Sequence, residues 1–272
     1  MGIVSSLYDK KKMPLVMGIL NVTPDSFYAK SRKESVSSAL EAALSMEKNG
    51  ADIIDIGAES TRPGFTPVSA EEEKERIIPV IEAIRRHTQI PISVDTRKGS
   101  VARSALDAGA HIVNDISAGT YDFSILEIVK NYKCDIILMH SQDKPPYSDV
   151  VKEVKKYLWD RAEAFKNAGV PADKITLDPG LGFGKDTEHN LDLMRHMEQL
   201  VELGYPVLIG CSRKRFVGAV TGKDVEGRLA GTLAVNAFAA VHGAAVLRVH
   251  DVRETSDMVK MLSVLGDIAV RR

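Results

Sequence analysis

Short runs of apolar, often β-branched residues alternate along the chain with longer amphipathic segments. Such runs, bounded by polar positions, are typical of strands that are buried on both faces. The runs are 14–20, ending at Asn21; 52–56, ending at Gly57; 90–94, ending at Asp95; 111–113, ending at Asn114; 135–139, ending at His140; 175–177, ending at Asp178; 206–209, ending at Gly210; and 244–249, ending at His250. Buried strands that alternate with helices predict an α/β fold, specifically a (β/α)8 TIM barrel with its active site at the carboxyl ends of the strands.

The segments between the runs carry helix signals at both ends. Ser69 and Glu72 have the spacing of a capping box, and isoleucines then recur at helical spacing. Several segments stop at a glycine shortly before the next run, which favours a left-handed helix end: Gly50, Gly109, Gly169, Gly204 and Gly243. By contrast, 21–35 and 57–69 are long and polar, and long loops after barrel strands usually carry function.

Composition and charge narrow the class of protein. At 272 residues, the chain predicts one domain over 1–272, with 1–13 as a short N-terminal arm. Thirty-six Lys and Arg residues against 37 Asp and Glu give a net charge of −1, which argues against a nucleic-acid partner.

Cysteine content and hydropathy predict the cellular compartment of the protein. Cys134 and Cys211 lie far apart at predicted strands, which favours reduced thiols and a cytoplasmic location. The apolar stretch 229–247 contains Asn236 and His242, so it predicts a buried helix running into a strand, with no membrane partner.

Polar residues that follow four different strands predict a recognition surface. Asp95, Asn114 and Asp178 end the third, fourth and sixth runs, and Lys214 follows the seventh. One strand-end Asp is often a turn former or helix cap, but several groups converging on one barrel mouth favour a binding surface. Carboxylates and a carboxamide match the donor and acceptor edge of a flat nitrogen heterocycle.

A second set of residues is rich in hydrogen-bond donors and predicts an anion site: Asn21, Ser60, Thr61, Arg62, Arg248 and His250. Arginine binds phosphate oxygens in bidentate geometry. Arg248 and His250 are two residues apart on a predicted strand and should point to the same side. The alternative is that Arg62 and Arg248 are surface residues paired with Glu59 and Asp251. Asn21 is a candidate ligand for Mg²⁺, which needs few protein ligands when phosphates supply the rest.

Three further residue patterns bear on function. The glycine-rich segment 180–185 has the spacing of neither a P-loop nor a dinucleotide fingerprint, so it predicts a strand-to-helix turn on which a ligand packs. Lys214 is also compatible with a Schiff-base nucleophile, as in barrel aldolases. His140 ends the fifth run without a recognisable triad, which favours a structural role.

Several long motifs in order resemble dihydropteroate synthases over most of the chain. They are MGILNVTPDSF at 17–27, IIDIGAESTRPG at 53–64, SVDT at 93–96, NDI at 114–116, DPGLGFGK at 178–185, SRK at 212–214 and RVHD at 248–251. The resemblance implies a single pterin-binding barrel. It also implies condensation of 6-hydroxymethyl-7,8-dihydropterin diphosphate with 4-aminobenzoate, giving 7,8-dihydropteroate and pyrophosphate in folate biosynthesis.

The resemblance also implies site roles, with Mg²⁺ as cofactor, the two small molecules as substrates and a homodimer as the assembly. The catalytic residues would be Asp95, Arg62 and Lys214. The pterin would be bound by Asp95, Asn114, Ile116, Met139, Asp178 and Lys214. The diphosphate would be held by Asn21, Thr61, Arg62, Arg248 and His250, with Asn21 as metal ligand. The 4-aminobenzoate would be framed by Thr61, Pro63, Phe183, Ser212 and Lys214.

The chain departs from the family pattern at Ala58, where a second glycine is usual, and in 28–33, which lacks the usual acidic and glycine residues. Two alternatives stay open at this point. One is a pterin-binding methyltransferase that moves a methyl group from methyltetrahydrofolate to a corrinoid protein. The other is a non-catalytic pterin-binding protein. Neither has a diphosphate to bind, so retention of the arginine-rich motifs favours the synthase.

Overall fold

The computed structural model describes residues 1–22, 32–58, 68–142 and 147–265. Eight parallel strands form one sheet: β1 Leu15–Asn21, β2 Ile53–Gly57, β3 Ile92–Asp95, β4 Ile112–Asp115, β5 Asp135–Met139, β6 Ile175–Asp178, β7 Leu208–Ile209 and β8 Val246–Val249. Neighbouring strands pair in the order β6-β5-β4-β3-β2-β1-β8-β7. A bridge between Leu177 and Val207 joins β6 to β7 and completes the ring. The predicted TIM barrel is thus confirmed.

Helices surround this ring and connect its strands. They are α1 Ile3–Lys11, α2 Arg32–Lys48, α3 Ala70–Arg85, α4 Gly99–Asp107, α5 Ser124–Tyr132, α6 Val150–Asn167, α7 Thr187–Arg195, α8 Glu198–Val201, α9 Arg215–Thr221, α10 Leu229–Val241 and α11 Val252–Leu265. The side chain of Ser69 accepts a hydrogen bond from the backbone N–H of Glu72 at 3.2 Å, as its predicted cap role requires. No described helix is long and apolar enough to cross a membrane.

The predicted glycine stops are confirmed. All of them adopt positive φ angles, between 80° at Gly204 and 106° at Gly109. A left-handed residue here turns the chain from a helix into the next strand. The connections at this end of the barrel are therefore short, and the longer connections lie at the opposite end.

Alternation along each strand decides which side chains enter the barrel. Ile53 belongs to the apolar cluster inside the ring, whereas its neighbour Ile54 packs against the helices. Because side chains alternate in a strand, Asp55 returns to the interior, one step nearer the carboxyl end. By the same alternation, Asn114 and Arg248 also point into the barrel, each two residues nearer the carboxyl end of its strand than the interior residues Ile112 and Val246. The lower interior is therefore apolar and the upper interior polar.

Residues 1–13, predicted only as a short solvated arm, contain helix α1, which closes the amino-terminal end of the barrel. Val4 is fully buried and packs in the interior cluster. The backbone N–H of Val4 donates to Asp135 Oδ2 at 3.1 Å, and that of Gly2 donates to Asp173 Oδ2 at 3.0 Å. Apolar burial and these bonds hold the helix over the end opposite the polar residues.

Candidate active site

The polar residues predicted from strand ends converge at the upper interior. In the β3–β4 pair, Asp95 lies opposite Asn114, and in the β5–β6 pair, Met139 lies opposite Asp178. Asn114, Met139 and Asp178 are all buried, and the side chain of Asp95 is only 10% exposed. Four consecutive strands thus contribute side chains to one layer, as the sequence predicted for a heterocycle-binding surface.

Arg248 is the centre of this layer. Its Nε donates to Asp55 Oδ2 and one terminal nitrogen donates to Asp95 Oδ2, both at 2.6 Å. Asn114 Nδ2 donates to the same Asp55 oxygen at 3.2 Å. The alternative that Arg248 pairs with Asp251 is wrong, because Asp251 instead binds Arg213 at 2.6 Å. Arg248 therefore lies between the predicted heterocycle surface and the predicted anion site.

Burial sets the ionisation of this layer. It raises the pKa of Asp95 to about 7, against the opposing effect of Arg248. Burial by itself would lower the pKa of Arg248, but Asp55 and Asp95 raise it overall. Asp55 Oδ1 and Ser93 Oγ are buried and have no hydrogen-bond partner among the described residues. Buried polar atoms are rarely left unpaired, so the layer has spare capacity for a polar ligand.

The turn that follows β6 contacts both Asp178, at its start, and Lys214, which follows β7. Asp178 Oδ1 accepts a hydrogen bond from the N–H of Gly180 at 2.7 Å, and burial raises its pKa. Further along the turn, the Leu181 carbonyl accepts a hydrogen bond from Lys214 Nζ, which lies 4.5 Å from the centre of the Phe183 ring. Burial lowers the pKa of Lys214 to about 8. A carbonyl and an aromatic face together stabilise an ammonium group in a site without much water.

The backbone conformation of this turn requires glycine at two positions. Gly180 and Gly182 adopt φ angles of +66° and +82°, a region that L side chains rarely occupy. A Cβ on Gly180 would overlap the backbone oxygen of His140, and one on Gly182 would lie 3.0 Å from the Lys214 side chain. The glycine-rich motif therefore permits close approach of β5 and of Lys214, in keeping with the turn predicted from its spacing.

Gly180→Ala is expected to destabilise the chain by about 2 kcal/mol or more, because the new methyl group forces a backbone shift at a left-handed position. Denaturant unfolding measures the change. Gly222→Ala is the matched control, since Gly222 also has a positive φ of 68° but nothing lies within 4 Å of its Cβ position. Equal losses in the two variants would show that the contact with His140 costs nothing.

Ser212, which follows β7, contacts His250, which follows β8. Ser212 Oγ is 3.0 Å from His250 Nδ1, and the backbone N–H of His250 donates to Ser212 Oγ at 3.2 Å. Ser212 is buried and His250 is exposed. The structure thus joins a residue predicted for the 4-aminobenzoate site to one predicted for the diphosphate site.

The remaining predicted residues are placed less completely. Asn21 ends β1 with an exposed side chain, and Ile116 is half-buried directly after β4. Ser60, Thr61, Arg62 and Pro63 lie outside the described residues.

The metal prediction depends on the donors near Asn21. In the described ranges, no group of three or more His, Cys, Asp or Glu side chains is arranged to hold a metal ion. A lone carboxamide oxygen fits Mg²⁺ only where phosphate and water oxygens complete the coordination shell. Asn21 therefore fits a metal that arrives with a diphosphate.

Sequence reasoning missed two buried residues of the site. Asp55 is fully buried and binds both Arg248 and Asn114. The sequence did contain a signal for Asp55: a carboxylate in the middle of an apolar strand is costly to bury unless it is paired, so its position predicts a buried partner. Lys185, treated only as part of a glycine-rich motif, is also buried and donates to His140 Nδ1 at 2.9 Å. No sequence pattern predicted that pairing.

Comparison with known proteins agrees with this geometry. The family model described as pterin binding enzyme matches residues 17–250. The dihydropteroate synthase of Streptococcus pyogenes is 46% identical over 92% of this chain and 95% of its own length. The solved structure of the Xanthomonas albilineans dihydropteroate synthase with 4-aminobenzoic acid has a TM-score of 0.88 at 45% identity, over 93% of each chain. The same enzyme in complex with 7,8-dihydropteroate has a TM-score of 0.86 at 42% identity, over 93% of this chain and 94% of that one. The chain therefore belongs to the dihydropteroate synthase family of pterin-binding enzymes.

Proposed function

We propose that this chain condenses 6-hydroxymethyl-7,8-dihydropterin diphosphate with 4-aminobenzoate, giving 7,8-dihydropteroate and pyrophosphate for folate biosynthesis. The observation that carries the proposal is the layer of Asp55, Asp95, Asn114 and Asp178 around Arg248, which lies next to Lys214. The layer supplies recognition for a heterocycle, and the cationic groups around it supply recognition for anions.

The pterin is assigned to the buried layer. Asp178 accepts hydrogen bonds from the N–H groups of the amino-pyrimidine edge, while Asp95 and Asn114 bind the other polar atoms of the ring system. Ile116 and Met139 provide apolar contact with its faces. These roles suit the structure because the carboxylates are fixed on strands and already desolvated, so binding requires little reorganisation.

The diphosphate is assigned to the rim, where Asn21 and His250 are exposed at the ends of β1 and β8. Arg248 approaches it from below, and Thr61 and Arg62 are assigned by their motif alone. Bound Mg²⁺, held on the protein by Asn21, would neutralise the charge of the leaving pyrophosphate. Arg62, Arg248 and His250 contribute donors that stabilise the same charge as it develops.

The 4-aminobenzoate is assigned to the space between the Phe183 ring and Ser212, with Thr61 and Pro63 as further contacts from their motif. Lys214 lies against Phe183 and offers a cation to this site. We propose that pyrophosphate leaves first and that the weakly basic arylamine then attacks the resulting pterin cation. Ionised Asp95 stabilises this cation, so the protein needs no strong nucleophile.

The ionisation of Asp95 and Lys214 predicts a bell-shaped pH profile for kcat/KM. Asp95 becomes ionised as the pH rises through about 7, and Lys214 loses its proton as the pH rises through about 8. Because kcat/KM reports the free enzyme, the maximum should fall between these values. Steady-state rates measured at saturating Mg²⁺ from roughly pH 5.5 to 9.5 cover both limbs of the profile, because this range extends more than about one pH unit beyond each pKa. A flat profile would contradict these roles.

The proposed reaction is tested by supplying the pterin diphosphate, 4-aminobenzoate and Mg²⁺ and measuring both products. Dihydropteroate and pyrophosphate should appear in equal amounts, and omission of 4-aminobenzoate should abolish dihydropteroate. Binding of the pterin without either product would instead favour a non-catalytic pterin-binding protein. Methyl transfer from methyltetrahydrofolate to a corrinoid protein would favour the methyltransferase.

We also propose a cytoplasmic homodimer. Exposed apolar side chains on α9 and α10 support this assembly: Val220, Phe238 and Val241 are 62%, 38% and 40% exposed. Such side chains on one side of a barrel are typical of surfaces that bind another copy. Light scattering measures the mass, which should be twice 29.7 kDa.

A further inference from the structure

Lys185 is a buried lysine whose role is not explained by the proposed ligand contacts. It is 7% exposed and ends the glycine-rich turn that follows β6. Its Nζ donates to the carbonyl oxygens of Gly180 at 3.0 Å and Phe183 at 3.1 Å, and lies 2.9 Å from His140 Nδ1. A lysine is rarely buried unless its charge is fully bonded, so this arrangement serves the turn itself.

His140 completes the group from the end of β5. It is 1% exposed, and its ring contacts Tyr157 edge-on at 4.9 Å between centroids. Burial lowers the pKa of His140 to about 3, so its imidazole is neutral and Nδ1 is free to accept from Lys185. Its backbone N–H donates to the Asp178 carbonyl at 2.9 Å, which ties β5 to β6 at the same point.

The turn also contacts Lys214, which is assigned to the 4-aminobenzoate site. The Leu181 carbonyl binds Lys214 Nζ, and the Phe183 ring lies against the same nitrogen. Asn190 supports the turn from α7, because its Oδ1 accepts from the Gly182 N–H at 2.7 Å. The carbonyl oxygens of a single short turn therefore bind two lysines, Lys185 and Lys214.

We propose that Lys185 and His140 are positioning residues for the condensation: through the 180–183 turn, they fix Phe183 and the ammonium group of Lys214 in the 4-aminobenzoate site. The inference rests on the proposed function and deepens it. Without the bonds from Lys185, the Phe183 carbonyl loses this donor and the Gly180 carbonyl keeps only the N–H of Phe183, at 3.1 Å, so the turn is held by fewer bonds. Small displacements of groups that orient a substrate are costly in rate and affinity.

The test compares His140→Leu, His140→Asn and Lys185→Met with the wild-type chain. For each, kcat, the KM of each substrate and the melting temperature are measured. A purely structural role lowers the amount of folded enzyme and thus the maximal rate, but it leaves KM unchanged. We expect Lys185→Met and His140→Leu to raise the KM for 4-aminobenzoate roughly tenfold, with a smaller change for the pterin diphosphate. His140→Asn keeps an acceptor near the position of Nδ1 and should stay within about twofold of wild type.

Lys174→Met is the matched control, because Lys174 is also a largely covered lysine but lies at the other end of the barrel beside Asp135. Both KM values should be unchanged in this variant. If Lys185→Met fails to fold, His140→Leu carries the same test, since the backbone acceptors of Lys185 stay in place. Unchanged KM values for 4-aminobenzoate in the folded variants, or equal defects in His140→Leu and His140→Asn, would overturn the inference. An inactive wild-type chain would overturn the proposed function itself, and active wild type with unchanged variants would overturn the positioning role alone.

Discussion

Arg248→Ala should lower kcat/KM roughly a thousandfold and destabilise the chain by about 3–5 kcal/mol. The large stability loss follows from the two ion pairs at 2.6 Å, because removal of the guanidinium takes away the cation that Asp55 and Asp95 both bind in the interior. The rate loss follows because the same change removes a donor near the leaving diphosphate and disturbs the pterin-binding carboxylates. Steady-state kinetics and urea unfolding measure the two effects.

The pH dependence of this loss separates charge from packing. Burial already raises the pKa of Asp95 to about 7 with Arg248 present, and without Arg248 this carboxyl should take up a proton more readily. The stability deficit should therefore shrink as the pH falls from 8 to 5, roughly the range in which Asp95 becomes neutral. Arg195→Ala is the control, because Arg195 forms exposed pairs with Asp192 and Glu188 and should contribute little. Wild-type stability and turnover in Arg248→Ala would refute the central place of this residue.

Lys214→Ala should reduce kcat/KM by roughly a hundredfold to a thousandfold while leaving the barrel folded. Burial lowers the pKa of Lys214 to about 8, which means that the folded protein holds this charge at a cost. Removing it should change the free energy of unfolding by no more than about 1 kcal/mol, because the lost bond to Leu181 is offset by relief of that cost.

Lys214→Met distinguishes loss of charge from loss of volume, since it keeps most of the apolar stem against Phe183. It should be as inactive as Lys214→Ala. A Schiff-base role would be indicated if borohydride trapped a substrate on Lys214 of the wild-type chain, an outcome that the proposed mechanism does not allow. Near wild-type kcat/KM in both variants would remove Lys214 from the site.

The fold could be predicted because burial on both faces gives parallel strands a continuous apolar signal. The end of β5 was located correctly at Met139, and β6 ends at Asp178, one residue beyond the predicted run, since each strand ends close to where the polar residues begin. Strand starts were less accurate. For example, β3 begins at Ile92 instead of residue 90, because Pro91 lacks an N–H to donate and apolar residues also occur in the preceding turn.

The site was predictable in its members but not in its pairings. Asp95, Asn114 and Asp178 could be grouped because strand ends of one barrel share one mouth. The partner of Arg248 could not be predicted, because Asp55 is 193 positions away in the sequence. The acid nearest to Arg248 in the sequence, Asp251, binds Arg213 instead. Lys185 and His140 lie 45 positions apart, so neither residue indicates the other without the fold. Helix α1 was missed because its few apolar residues give only a weak periodic signal.

The most direct measurement of the central claim is a crystal structure of the chain with 7,8-dihydropteroate. The pterin ring should lie on the strand-end layer, with hydrogen bonds to Asp95, Asn114 and Asp178. The benzoate should lie between Phe183 and Ser212, with its carboxylate near Ser212. A pterin ring bound elsewhere, or bound here without contact to these carboxylates, would contradict the account.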